Sequence, residues 1–164
     1  MPREKRPAGF TLVEMLVVLA VLGVLFALYS WVPWRPVAVS RAAYDLRDAL
    51  IEAKQEAIRR NRSVWVAHSD TAAWICLSND AVCRDHAEGA LRRVDLTAYR
   101  GELSLSSTLP GRCLRWRPEG FPSRCDDVQP LSAKIALHAR GQAVAELCIS
   151  PGGSIRLAKP GGCE

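Results

Sequence analysis

The sequence lacks the short motifs that mark many known catalytic sites. It contains no HExxH, no Walker loop, no GxSxG and no dinucleotide-binding fingerprint. Histidine is scarce as well, because the chain has only His68, His86 and His138, and none lies in a recognisable motif with a nucleophile or a carboxylate. We therefore expect a protein that is not an enzyme, with no cofactor and no metal, whose histidines are structural or surface residues.

CxxC pairs are absent too, although the chain has six cysteines. This absence argues against a zinc site, a thioredoxin-like redox centre and a membrane-tethered oxidoreductase. An even number of cysteines after a hydrophobic N-terminal segment instead predicts disulfides formed in an oxidising compartment. Six thiols allow many pairings, and closeness in sequence favours consecutive ones. The candidates are then Cys76 with Cys83, Cys113 with Cys125, and Cys148 with Cys163.

Length and composition indicate one ordinary domain with a short appendage. The chain has 164 residues, 49% of them hydrophobic, which is enough to bury a core. Its formal net charge of +5 favours anionic partners such as nucleic acid or acidic lipid.

The longest apolar segment runs from Phe10 to Val32. As a helix it would measure about 35 Å, which is enough to cross a bilayer core of about 30 Å. No A-x-A-like cleavage site follows it, so we predict a retained membrane span rather than a secretory signal. The leader before it carries dense positive charge, which favours an N-terminus in the cytoplasm.

Glu14 is the anomaly of this segment. A carboxylate at mid-bilayer costs about 2.5–3.5 kcal/mol, so such a residue usually has a partner and a function. The alternative is that Glu14 lies near the interface and reaches water.

The residues around Glu14 resemble the class III signal of type IV pilins and type II secretion pseudopilins. Gly9-Phe10-Thr11-Leu12-Val13-Glu14 follows a short basic leader and opens the apolar helix. The resemblance implies that prepilin peptidase cuts between Gly9 and Phe10 on the cytoplasmic side and that Phe10 is then N-methylated. It implies that Glu14 pairs with the terminal amine of a neighbouring subunit's Phe10 in a filament. The implied partners are other pilins, the peptidase and the inner membrane.

The region after the span predicts an amphipathic helix. Pro33 and Pro36 predict a kink or an interruption where the span ends. Apolar residues then recur at three- and four-residue steps, at Val39, Ala42, Ala43, Leu46, Ala49, Leu50, Ala53 and Ala57. The predicted boundaries are a leader at 1–9, a transmembrane and filament-core helix at 10–36, its amphipathic continuation at 37–62, and a periplasmic β-rich domain at 63–164.

Short strands separated by turn residues follow the helix. The predicted fold is therefore α+β, with one long N-terminal helix packed on an antiparallel β-sheet domain. The predicted strands are Ser63–His68, Ala73–Ser78, Leu91–Leu96, Leu103–Leu105, Cys113–Arg117, Lys134–His138, Ala143–Ile149 and Ser154–Leu157.

Three later stretches resemble GspH/FimT-type minor subunits. They are the helix-to-strand entry from Asp45 to Val64, the Pro-Glu-Gly turn at Trp116–Gly120, and the closing hairpin at Ile149–Arg156. The resemblance implies a minor pilin or pseudopilin near the tip of a filament. The filament could belong to a secretion, pilus or DNA-uptake machine.

The alternative function is that of a DNA receptor in natural transformation. Some FimT-type pilins have a G-R-x-R motif, and the closing hairpin matches it at Gly153 and Arg156, with serine in place of the first arginine. Lys159 adds a cation nearby, and Arg115 and Arg117 form a second candidate surface. Strand alternation favours a core position for the Trp116 between them.

Overall fold

A computed structural model describes residues 11–31, 34–77, 90–99 and 101–163. The chain divides into two compact units, Met1–Trp34 and Arg35–Glu164. The α+β class predicted from the sequence is confirmed. The elements are the helices α1 (Leu12–Trp31) and α2 (Trp34–Arg60) and the strands β1 (Val64–His68), β2 (Ala72–Cys76), β3 (Arg92–Asp95), β4 (Leu103–Ser107), β5 (Cys113–Trp116), β6 (Pro122–Arg124), β7 (Ala133–Ala139), β8 (Gln142–Ile149) and β9 (Ile155–Ala158).

The first unit contains α1, and each side chain from Thr11 to Leu28 is exposed. Within the described part of the chain, no helix combines the length and apolarity needed to cross a membrane.

The second unit contains α2, which is the helix that packs on the sheets. Pro36 is its third residue, a position where the missing N–H group would have no acceptor within the helix. Pro33 lies outside the described residues. The apolar face predicted from the spacing is buried, at Ala42, Ala43, Leu46, Ala49, Leu50, Ala53 and Ala57.

The strands form two antiparallel sheets. The first sheet has the order β3-β2-β1-β5-β6, and the second sheet has the order β4-β7-β8-β9. One hydrophobic core joins the buried face of α2 to one face of each sheet, with Trp116 and Leu114 from the first sheet and Leu137 and Leu147 from the second. The other face of the second sheet is called its outer face below.

The turn between β1 and β2 links the two sheets. The backbone N–H of Leu105 in the second sheet donates to the Asp70 carbonyl at 2.7 Å. His68 Nε2 is hydrogen-bonded to Ser107 Oγ, also at 2.7 Å. These bonds hold the ends of β1 and β4 together.

The structure has two helices, α1 and α2, where one long helix was predicted, and most strand bounds differ from the predicted ones by one or two residues. Two differences among the strands have a local cause. The Asp95 carboxylate accepts a hydrogen bond from Thr97 N and caps a 3₁₀ turn at Leu96–Ala98, so β3 ends at Asp95 rather than Leu96. Strand β6 was not predicted, because it has three residues and begins with proline. Proline is tolerated there since β6 is an edge strand that pairs only with β5 among the named strands.

Candidate functional site

The start of α1 is organised by a reciprocal pair of hydrogen bonds. Glu14 N donates to Thr11 Oγ1 at 3.3 Å, and Thr11 N donates to Glu14 Oε2 at 3.3 Å. This is a capping box, in which Thr11 caps the helix and the acid three residues later satisfies the cap's own N–H. The Glu14 carboxylate is therefore directed back toward the N-terminal end of the helix. The predicted cleavage residues, Gly9 and Phe10, lie outside the described residues.

Lys54 of α2 lies between the Pro-Glu-Gly turn and the closing hairpin. Its Nζ donates to the Gly153 carbonyl of the closing hairpin at 2.7 Å and lies 5.9 Å from the centroid of the Trp116 ring. Gly153 has φ +79°, and a Cβ added there would clash with the Gly120 carbonyl oxygen of the Pro-Glu-Gly turn. Helix, turn and hairpin therefore meet at one point, which only glycine at position 153 accommodates.

Strand β5 alternates as its sequence predicts. Leu114 and Trp116 are fully buried on the core side, while Arg115 and Arg117 are half-buried on the opposite side. The core position predicted for Trp116 is confirmed.

Both of these arginines are engaged in local contacts. Arg115 Nη2 donates to the Asp127 carbonyl at 2.7 Å, and Arg117 Nη1 donates to the Val128 carbonyl at 3.2 Å. Arg117 Nε also lies 3.2 Å from a Glu119 carboxylate oxygen. The two side chains hold the loop after β6, and Glu119 compensates part of the positive charge of Arg117.

The other predicted cations lie at the closing hairpin. Arg156 and Lys159 are exposed. Arg156 shares a groove of about 640 Å³ with Lys134 of β7 and with the disulfide between Cys148 and Cys163. This feature is called the cationic groove below. Its rim carries the hydroxyl groups of Thr108, Ser132, Ser150 and Ser154.

Glu146 is a buried carboxylate beside this groove. Its side chain is only 6% exposed, and Oε1 lies 3.5 Å from Lys134 Nζ. Its other oxygen, Oε2, has no hydrogen-bond partner among the described residues. A buried negative charge at this distance holds the Lys134 ammonium near the sheet.

Two of the three consecutive disulfides predicted from the sequence are confirmed. Cys113 is bonded to Cys125, and Cys148 is bonded to Cys163. Cys76 is disulfide-bonded too, while its predicted partner Cys83 lies outside the described residues. None of the described cysteines is a free thiol.

The two described histidines lie in structural positions. His68 is buried, its Nδ1 lies 3.0 Å from the Ser69 carbonyl, and desolvation by burial lowers its pKa below the ordinary value. His138 is hydrogen-bonded to a serine of β4, and His86 lies outside the described residues. The described part of the chain contains no cluster of three or more potential metal ligands.

Two family models match the sequence. One, a prokaryotic N-terminal methylation motif, matches residues 5–29. The other, the type II transport protein GspH, matches residues 42–153, which is more than half of the chain.

The chain belongs to the GspH family.

Solved structures of minor pilins and pseudopilins have the same fold as this GspH-family chain. The type IV minor pilin FimU of Pseudomonas aeruginosa has a TM-score of 0.62 at 21% identity, covering 80% of this chain and 98% of FimU. The minor pseudopilin EpsH of the Vibrio cholerae type 2 secretion system has a TM-score of 0.53 at 17% identity, covering 75% of this chain and 98% of EpsH. Escherichia coli GspH has a TM-score of 0.52 at 15% identity, covering 80% of this chain and 94% of GspH. No curated protein matches the sequence.

Family membership fixes the general role. The chain is a minor pilin or pseudopilin of a type IV pilus or a type II secretion system and has a class III signal. It is a structural subunit and not an enzyme, and its family assembles with other pilins in a filament. The resemblance seen in the sequence is confirmed at this level.

Two further local signals in the sequence bear on the site. Thr11-Leu12-Val13-Glu14 has the S/T-x-x-E spacing of a capping box, which predicts the observed hydrogen bonds. Lys134 is the second, because alternation in β7 places it on the outer face with Ala136 and His138. No local signal indicates that the groove unites Lys134 with Arg156, because the two are far apart in sequence.

Proposed function

We propose that this GspH-family chain is cut by prepilin peptidase between Gly9 and Phe10, is N-methylated at Phe10, and is assembled near the tip of a filament. The observation that carries the proposal is the N-terminal methylation motif over residues 5–29, joined to a GspH domain. The exposed apolar surface of α1 supports it, since this surface needs surroundings outside the second unit.

Before assembly, the apolar segment Phe10–Val32, which is longer at both ends than the described helix α1, anchors the chain in the inner membrane. The basic leader supports an N-terminus in the cytoplasm, and the disulfides support a periplasmic location for residues 63–164, because such bonds persist in oxidising compartments.

Glu14 directs the assembly. The capping box aims its carboxylate at the backbone N–H of Thr11, the residue directly after Phe10. An incoming terminal amine from a neighbouring subunit would meet this carboxylate at the same end of the helix. In a water-poor filament core, the pair compensates a charge that would otherwise be expensive to bury.

Processing is tested by replacing Gly9 with valine and expressing the full chain with and without prepilin peptidase. We expect the wild-type chain to lose nine residues, measured by gel mobility and by the mass of its N-terminal peptide, and Gly9→Val to remain uncut. Ala8→Val is the matched control, because it adds the same bulk one position away from the cut and should be processed. A wild-type chain of unchanged mass in the presence of the peptidase would contradict the proposal.

A second candidate function is DNA binding during uptake. The exposure of Arg156 and Lys159 at the closing hairpin favours it, because both side chains can reach a phosphate backbone. Arg115 and Arg117 would add contacts only by giving up bonds to the loop after β6.

Mobility shifts of the full chain in detergent at low salt would test the DNA-binding role. Phosphate contacts are strongest there, and we expect Arg156→Gln with Lys159→Gln to weaken the shift. If the wild-type chain produced no shift, the role of a filament subunit alone would stand.

A further inference from the structure

The cationic groove is built on one row of residues across three strands. Lys134 is paired with Cys148, and Cys148 with Arg156. Adjacent strands lie about 4.8 Å apart, so the backbones of the two cationic residues are about 10 Å apart, with the disulfide between them. The row lies on the outer face of the second sheet, away from the core.

Both cations keep hydrogen-bonding capacity for a ligand. Arg156 Nη2 donates to the Gly162 carbonyl at 3.1 Å, which uses one of five guanidinium donors. The Lys134 ammonium has three donors and faces Glu146 at 3.5 Å. The residues that line the groove include hydroxyl groups but, among the described residues, no carboxylate. Glu146 compensates part of the Lys134 charge, but Arg156 has no carboxylate partner among the described residues, so the groove keeps a positive charge suited to an anion.

The Cys148–Cys163 disulfide lines this groove between the two cations. It ties the C-terminal segment to β8, and the same segment provides the Gly162 carbonyl that orients Arg156. The two cations therefore lie on either side of a fixed crosslink, which favours a ligand of defined shape.

We propose that the cationic groove binds a carboxylate-bearing segment of a neighbouring pilin-type subunit in the filament. The inference rests on the assembly of the chain in a filament and adds the site and the chemistry of one contact. Arginine and carboxylate groups match in planar geometry. The hydroxyl groups that line the groove can donate to an oxygen of the bound carboxylate or to backbone carbonyls of the same segment.

The charge balance favours such a segment over nucleic acid. Residues 63–164 contain 12 lysines and arginines against 11 aspartates and glutamates, which leaves +1. A nearly neutral domain attracts a polyanion only weakly over distance. Non-specific nucleic-acid binding usually neutralises more phosphates than two cations can reach.

The test is photo-crosslinking in assembled filaments. A photoreactive amino acid is placed at Ser132, an exposed residue of the groove, and separately at Gln129, an exposed residue outside it. Crosslinked peptides are then mapped by mass spectrometry. We expect Ser132, but not Gln129, to crosslink to an acidic segment of another pilin-type subunit.

Charge variants show whether the cations cause the contact. Lys134→Gln with Arg156→Gln should lower the crosslink yield on the order of tenfold. Lys134→Arg should preserve most of it, since both charges and the planar guanidinium of Arg156 remain. Arg124→Gln with Arg140→Gln removes two exposed cations outside the groove lining and should leave the yield unchanged.

Two results would overturn the inference alone. One is a wild-type chain that is present in the filament but whose Ser132 crosslinks to nucleic acid, to lipid or to nothing. The other is a yield that the paired glutamine variant does not change. If the processed wild-type chain were absent from purified filaments, the proposed function would fail and this inference with it.

Discussion

The two helices of this chain meet the same physical problem in different ways. In α2, one face is fully or almost fully buried, with Ala42, Leu50 and Ala53 at 0% exposure. In α1, which is far more apolar in sequence, every described side chain from Thr11 to Leu28 is exposed. The comparison shows that burial of a helix in this chain follows the spacing of its apolar residues and not their number.

The difference separates a helix that the chain buries in its own core from a helix whose apolar surface is left to its surroundings. The amphipathic α2 is held by the core of both sheets and by Lys54. Exposing the apolar surface of α1 to water is unfavourable, whereas placing it in lipid or against other apolar helices is favourable. In the proposed assembly, Glu14 is the charged residue near its start whose carboxylate needs compensation in apolar surroundings.

The largest expected effect breaks the comparison directly. Leu50→Ala, at 0% exposure in α2, should lower the free energy of unfolding by about 2–5 kcal/mol, because it leaves a cavity in the core. Leu22→Ala is the matched control in α1, where the side chain is 55% exposed, and should change it by less than about 0.5 kcal/mol. Thermal and denaturant unfolding of the full chain in detergent measure both. Equal effects would contradict the contrast between the helices.

The next effect sharpens the account of how α2 is attached. Gly153→Ala should destabilise the second unit more than Gly141→Ala, although both glycines have positive φ values, +79° and +77°. The left-handed conformation costs about 1–2 kcal/mol in each case. Only at position 153 does the new methyl group also clash, which adds about 1–3 kcal/mol. Denaturant midpoints compare the variants, and a similar loss in both would show that the close approach to Gly120 is unimportant.

The smallest effect is a pH dependence confined to the second unit. Burial lowers the pKa of His68, so the unfolded chain binds its proton more readily than the folded chain. The contribution of His68 to the free energy of unfolding should be fully present above the ordinary histidine pKa of about 6.5. It should be lost as the pH falls below that value, by at most about 1.4 kcal/mol per pH unit. His68→Gln should remove this slope, whereas His138→Gln at the surface should not. An unchanged slope in His68→Gln would assign the effect to other groups.

The helix was predictable because its pattern is local. Residues from Ala42 to Ala57 repeat at helical spacing, and the structure buries that face. Strand β6 was not, because only its pairing with β5 makes Pro122–Arg124 a strand. The division into two sheets also depends on contacts between distant segments, such as Leu105 with Asp70.

The candidate site shows the same limit. The class III signal is contiguous, so family and general role follow from residues 9–14 and the later stretches. The capping box was equally local and could have been predicted from Thr11 and Glu14. The convergence of Lys54, Gly120 and Gly153, by contrast, brings together three distant parts of the chain.

The central claim is that the charge of Glu14 directs assembly, and this role can be separated from helix capping. Thr11→Ala removes half of the capping box but keeps the acid, whereas Glu14→Gln keeps a capping side chain but removes the charge. The direct measurement is the fraction of processed chain recovered in purified filaments for both variants and the wild type. The account predicts near-normal incorporation of Thr11→Ala and a severe loss for Glu14→Gln, with both cut normally by the peptidase. Wild-type incorporation of Glu14→Gln would contradict it.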